Sequence, residues 1–111
     1  MKKLFVVIRD DLDHGMQLAQ GVHAAMLFGY EHPDLTKAWI EGPNNIIVKR
    51  VADEAELRAL LAKAGPKYMD ISTFQEPDLG NQITAAALGG AGTQSLLWHL
   101  PLAGRATQEA A

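Results

Sequence analysis

The chain has 111 residues, no cysteine and a formal net charge of −3. That is the length of one domain with one hydrophobic core, and it excludes a disulfide framework and a thiolate metal site. The acidic balance counts against a broad phosphate-binding surface, although a local basic patch is compatible with it.

A hydrophobic fraction of 48% and a charged fraction of 21% are those of a folded globular protein. The absence of cysteine suits a reducing compartment, and a cytoplasmic location is expected. Met1-Lys2-Lys3 precedes an apolar run that stops at Arg9-Asp10, too short for a signal-peptide core or a membrane span. No two of the histidines stand four residues apart, so neither a metal nor another cofactor is expected.

Lys3 to Arg9 is rich in β-branched and aromatic residues and reads as a buried strand. Asp10, Asp11, Asp13 and Gly15 then form an acidic turn. From Met16 the pattern becomes helical. Leu18, Ala19, Val22, Ala25, Met26 and Gly29 recur at steps of three and four, which predicts that this face is buried against a sheet. The helix is expected to end near Tyr30, before His32-Pro33.

A second short helix is predicted over 33–40, then a loop at Gly42 to Asn45 and a strand over 45–51. Asp53 and Glu56 have the spacing of a capping box. Leu57, Leu60, Leu61 and Ala64 form the apolar face of the helix that follows, and Gly65-Pro66 ends it. A third strand is predicted over 68–74, a turn over 76–81 and a small-residue strand over 82–88. Gly89, Gly90 and Gly92 make a link to a short apolar helix at 95–100, and the residues from 104 to 111 read as a frayed tail.

The element order β-α-α-β-α-β-β-α predicts one three-layer α/β/α domain over residues 1–103. Its sheet is mixed and four-stranded, with one strand antiparallel because the last two strands are joined by a short turn. Trp39 and Trp98 read as core or interface anchors.

Ligands of such folds sit off the carboxyl ends of the strands. That places two segments together: Arg9 to Leu12, and Glu76 to Gln82. Met16, Gln20 and His23 share an edge of the first helix. His23 reads either as a general acid or base or as a residue satisfying a buried hydrogen bond. Asp78 reads either as a carboxylate that orients water or as an Asx-turn residue. Asp10, Asp11 and Asp13 suit a solvated helix start better than a cation site. No Ser-His-Asp or Gly-x-Ser-x-Gly pattern occurs, so water is the nucleophile of any hydrolysis.

Leu4 to Ile8, Arg9-Asp10-Asp11-Leu12 and Leu18-Ala19-Gln20-Gly21-Val22-His23-Ala24-Ala25 resemble the opening of the archaeal- and eukaryotic-type peptidyl-tRNA hydrolases (type II). The later order is also similar: a Trp before a loop, a strand ending in Lys49-Arg50, Asp53-Glu54 with Leu57, Asp78-x-Gly80, and His99-Leu100. The resemblance covers roughly residues 3 to 102.

The resemblance implies hydrolysis of the ester joining a peptide to tRNA, by a homodimer. Asp11, Gln20, His23 and Asp78 fall on its motifs. On this reading His23 and Asp78 position water, Gln20 and Asn81 polarise the carbonyl, and Thr84 adds a hydroxyl. Asp11, Met16, Asn81, Gln82 and Thr84 contact the substrate.

Two departures mark a divergent, bacterial-like branch. Met16 stands where the family has a lysine, and the family's Arg-Thr-Gln after the Asp-x-Gly turn is reduced to Asn81-Gln82. Met cannot replace a cation aimed at phosphate or at a developing oxyanion, a contact worth about 10²–10³ in rate. The alternatives are therefore a binding domain of the same fold without the chemistry, and a hydrolase of a different, small ester.

Overall fold

The structure is a computed structural model that describes residues 1–65 and 70–104. The element order is β1 (Lys3–Arg9), α1 (His14–Glu31), α2 (Pro33–Glu41), β2 (Asn45–Val51), α3 (Glu54–Ala64), β3 (Asp70–Glu76), a 3-10 turn (Pro77–Leu79), β4 (Gln82–Gly89) and α4 (Thr93–Leu97). The expected start of the third strand at Tyr68 and Met69, and the tail beyond Gly104, lie outside the described residues.

The sheet order is β2-β1-β4-β3. β1 pairs with β2 in parallel and with β4 antiparallel, and β3 pairs with β4 antiparallel. β4 is therefore the one strand that runs against the rest, as the short 76–81 link predicts. The two inner strands are buried almost throughout, which is why Leu4–Arg9 and Ile83–Gly89 read as continuous runs without alternation.

α1 and α2 lie on one face, where Ala24, Phe28 and Trp39 pack on Leu4, Val6, Ile8, Ala85 and Ala87. α3 and α4 lie on the other, where Leu57, Leu60 and Leu97 pack on Phe5, Val7, Ala86 and Leu88. The three-layer arrangement follows. Beyond α4 the chain runs along β2: Arg50 N–H donates to the Pro101 carbonyl at 3.1 Å, and Ala103 N–H to that of Val48 at 2.9 Å.

Side chains close the helix ends. Asp13 accepts from Met16 N–H at 2.8 Å at the start of α1. At α3 the expected capping box forms: Asp53 accepts from Glu56 N–H at 2.9 Å, and Glu56 reaches back to Ala52 N–H at 3.2 Å. Gly65 ends α3 at a φ of 64°, a left-handed conformation that glycine adopts without strain.

One expectation is overturned. Most of the face of α1 predicted to be buried is exposed: Leu18, Val22 and Met26 are 72%, 63% and 71% exposed, and Ala19 is exposed as well, whereas Ala25 and Gly29 are half-buried and Ala25 packs on the core. Gln20, Ala24 and Phe28 are the buried residues. Gly21 helps set this rotation, since a Cβ there would meet Ile8 Cγ2 at 3.2 Å. The two tryptophans also divide: Trp39 is buried and donates to the Asn45 carbonyl at 2.9 Å, whereas Trp98 is exposed.

Candidate functional site

The site is built around an irregularity in β4. Phe74 lies opposite Ala85 and Gln75 opposite Ile83, so Thr84 is an extra residue in the ladder. Such a bulge leaves backbone groups unpaired and re-aims a side chain. Both orphaned groups are met from neighbouring elements. Ile83 N–H donates to Glu54 Oε2 at 2.8 Å, and the Ile83 carbonyl accepts from Arg9 Nη1 at 3.1 Å.

Arg9 thereby joins the two segments expected to meet at the strand ends. It is 5% exposed. Its Nε and Nη2 donate to the two Asp11 oxygens at 2.9 and 2.7 Å, and Nη1 also donates to Gln82 Oε1 at 2.9 Å. This bidentate pair is strong for its geometry. Hydrogen bonding to Arg9 holds the Asp11 carboxyl below its ordinary value, against the opposing effect of partial burial. The same bond holds Arg9 above its ordinary value.

The bulge turns Thr84 toward α1. Thr84 is fully buried, and its hydroxyl donates to Gln20 Oε1 at 2.5 Å. Gln20 is 1% exposed, and its Nε2 donates to Glu76 Oε1 at 3.0 Å. Thr84, Gln20 and Glu76 therefore form a polar line that begins in the core and ends at a half-buried carboxylate at the end of β3. One turn further along α1, His23 is exposed and stacks on Phe74, with ring centroids 4.5 Å apart and planes within 7°. Phe74 and Glu76 alternate onto the same side of β3.

Of the residues expected to act together, Gln20, His23 and Thr84 are thus on one patch with the end of β3. Asp78 lies just beyond it in the 3-10 turn. It is exposed, and its backbone N–H points at Glu76 Oε2 at 3.5 Å, so the turn is capped by Glu76 rather than by Asp78 itself. Asn81 is exposed at a φ of 61°, and its N–H donates to the Glu76 carbonyl at 2.9 Å. Gln82 is exposed and engaged with Arg9. Met16 is half-buried in the first turn of α1.

Gln20 and Thr84 have their polar atoms committed inside the protein. That geometry suits orienting a neighbour rather than touching a substrate. Glu76, Phe74 and Glu54 were not singled out from the sequence. The period-two step from Phe74 to Glu76, set against the three-residue step from Gln20 to His23, is the signal that pairs them.

The acidic turn is divided among separate tasks. Asp10 accepts from Arg50 Nη1 at 3.1 Å, Asp11 pairs with Arg9, and Asp13 caps α1. Among the described residues no three His, Asp or Glu side chains are grouped to hold a metal ion.

On the other side of α1 an apolar groove of about 830 Å³ runs between the helix and β2. Val6, Ile8, Leu18, Val22, Ile46 and Val48 line it, and Asp10 and Arg50 stand at its polar end. No family model and no curated protein matches this chain.

Proposed function

We propose that this protein is an ester hydrolase acting on peptidyl-tRNA or a related conjugate, with water as the nucleophile. The observation that carries the reading is the line Thr84–Gln20–Glu76, with exposed His23 stacked on Phe74, two residues before Glu76 on β3. Burying a glutamine amide in an apolar layer is costly unless both its ends are bonded. Here both are, and the outcome is an oriented carboxylate on the same side of β3 as Phe74, on which the His23 ring stacks. The resemblance of the Arg9 to Ala25 segment to the type II peptidyl-tRNA hydrolases supports the same chemistry. No cofactor is part of the proposal.

Met16 favours a second reading. With no cation at the start of α1 and a net charge of −3, the chain suits a binding domain that keeps the fold without the reaction, or a hydrolase of a smaller ester. One assay separates the three. Purified protein is expected to release peptide from peptidyl-tRNA slowly, and Met16→Lys is expected to raise that rate. Turnover of small N-acylated amino-acid esters with none on tRNA selects the small-ester hydrolase. No turnover on either substrate, by wild type or Met16→Lys, selects the binding domain.

We further propose that the protein works in the cytoplasm as a homodimer. Among the described residues no helix is long and apolar enough to cross a membrane. Leu18, Val22, Met26 and Tyr30 make a ridge at four-residue steps along α1, 63–85% exposed, whose first half, Leu18 and Val22, forms one wall of the groove. A ridge and a groove side by side on one face suit a two-fold contact, in which each copy seats its ridge in the other's groove. Sedimentation of the wild type against Val22→Glu tests this.

A further inference from the structure

We propose that Glu76, not Asp78, is the carboxylate that activates the attacking water, and that Gln20 and Thr84 are positioning residues acting through it. The proposal rests on the hydrolase reading above. Both carboxylates belong to the same strand end, but only one is held. Glu76 is half-buried; Oε1 accepts from Gln20 Nε2 at 3.0 Å, and Oε2 faces the Asp78 N–H at 3.5 Å. Gln20 cannot turn away, because Thr84 occupies its other end at 2.5 Å and the residue is 1% exposed. Thr84 is in turn fixed by the bulge. Asp78 is exposed on a three-residue turn, where nothing comparable among the described residues fixes its rotamer. A general base gains from being positioned, and the structure spends a buried polar line on positioning Glu76.

The step balances without any further reactant. The water oxygen bonds to the ester carbonyl carbon while one water proton passes to the Glu76 carboxylate. The tetrahedral intermediate then breaks its bond to the ribose oxygen, which takes that proton from Glu76 and leaves as a hydroxyl. The products are a free peptide carboxyl group and a tRNA with a free ribose hydroxyl. His23 stacks on Phe74, which alternates onto the same side of β3 as Glu76.

The test uses the full chain, peptidyl-tRNA and a small N-acylated amino-acid ester. Glu76→Gln keeps an oxygen that accepts from Gln20, so the fold persists, as thermal melting checks. Its kcat is expected to fall about 100-fold or more, with KM within about twofold. Formate is expected to restore part of the rate to Glu76→Ala. Asp78→Asn is expected to stay within about threefold of wild type. Thr84→Val is expected to lower kcat about threefold to tenfold at unchanged KM, and Thr84→Ser to recover it. A folded Glu76→Gln with wild-type kcat, or an Asp78→Asn that falls as far as Glu76→Gln, overturns the role of Glu76 and leaves the hydrolase reading standing. A wild type with no turnover on either ester overturns both.

Discussion

Gln20 and Leu18 stand two residues apart on α1, yet Gln20 is 1% exposed and Leu18 is 72% exposed. The inner side of the helix carries a polar line, Gln20 to Glu76 and Thr84. The outer side carries an apolar ridge, Leu18 to Tyr30. An isolated amphipathic helix dropped on a sheet would do the reverse. The contrast shows that α1 is not oriented by hydrophobicity alone. Close approach at Gly21 over Ile8, burial of Ala24 and Phe28, and three satisfied hydrogen-bonding groups fix its rotation. The exposed ridge is the cost, and a large apolar patch of that kind marks an interaction surface.

The comparison breaks most severely at Arg9, which holds the bulge behind the inner polar line. Arg9→Met is expected to destabilise the fold by about 1–3 kcal/mol, because it strands the buried Ile83 carbonyl. Urea unfolding reads this directly, and a loss below about 0.5 kcal/mol would show that water replaces the guanidinium. The outer side supplies the control. Val22→Ser removes an exposed methyl pair and, at concentrations where the chain is monomeric, is expected to shift stability by no more than about 0.5 kcal/mol.

Next in size is the polar line. Gln20→Leu keeps the volume but leaves the buried Thr84 hydroxyl with only the long 3.5 Å contact to the Phe74 carbonyl, at about 1–2 kcal/mol. Adding Thr84→Val removes the orphan, so the double variant is expected to be more stable than Gln20→Leu alone. This non-additivity is the signature of a buried contact. Strict additivity of the two effects would mean that the hydrogen bond at 2.5 Å contributes nothing of its own.

On the ridge, Val22→Glu is expected to leave unfolding of the single chain nearly unchanged while halving the sedimenting mass. A wild type that sediments as a monomer at every concentration removes the two-fold contact proposed for this face.

The sequence makes the layers legible for a plain physical reason. Buried inner strands read as apolar runs, Asp53 and Glu56 announce a helix start, and the short link at 76–81 forces β4 to run antiparallel. The rotation of α1 is not legible. Hydrophobic periodicity points to Leu18, Val22 and Met26, and nothing local shows that a glutamine takes the inner position. The bulge at Thr84 is equally hidden, since it depends on Arg9 and Glu54, distant in sequence, satisfying Ile83. Hence the pattern draws attention to Asp78, which stands beside a glycine in a turn signal, and passes over Glu76, whose role exists only once Gln20 is folded against it.

The smallest effect concerns the carboxylate on the rim of the same anchor. Hydrogen bonding to Arg9 holds the Asp11 carboxyl below its ordinary value. A carboxyl depressed in the folded state binds fewer protons there than in the unfolded chain. Its contribution is therefore fully present above the unfolded value of about 4, and is lost as pH falls through the lower, folded value. The raised Arg9 works in the opposite sense, its contribution being lost only at pH above the ordinary arginine range, so it leaves the acid side to Asp11. The Asp11 side chain is 40% exposed, and solvent screening limits the gain to less than about 1 kcal/mol. Asp11→Asn keeps the shape and one acceptor. It is expected to be slightly less stable than wild type near neutrality and to converge with it as pH falls through the lowered, folded value. Thermal melts of the two proteins across that range isolate the difference, because every other carboxyl is common to both. A gap that stays constant down to the acid end would assign the effect to packing around Arg9 rather than to the charge on Asp11.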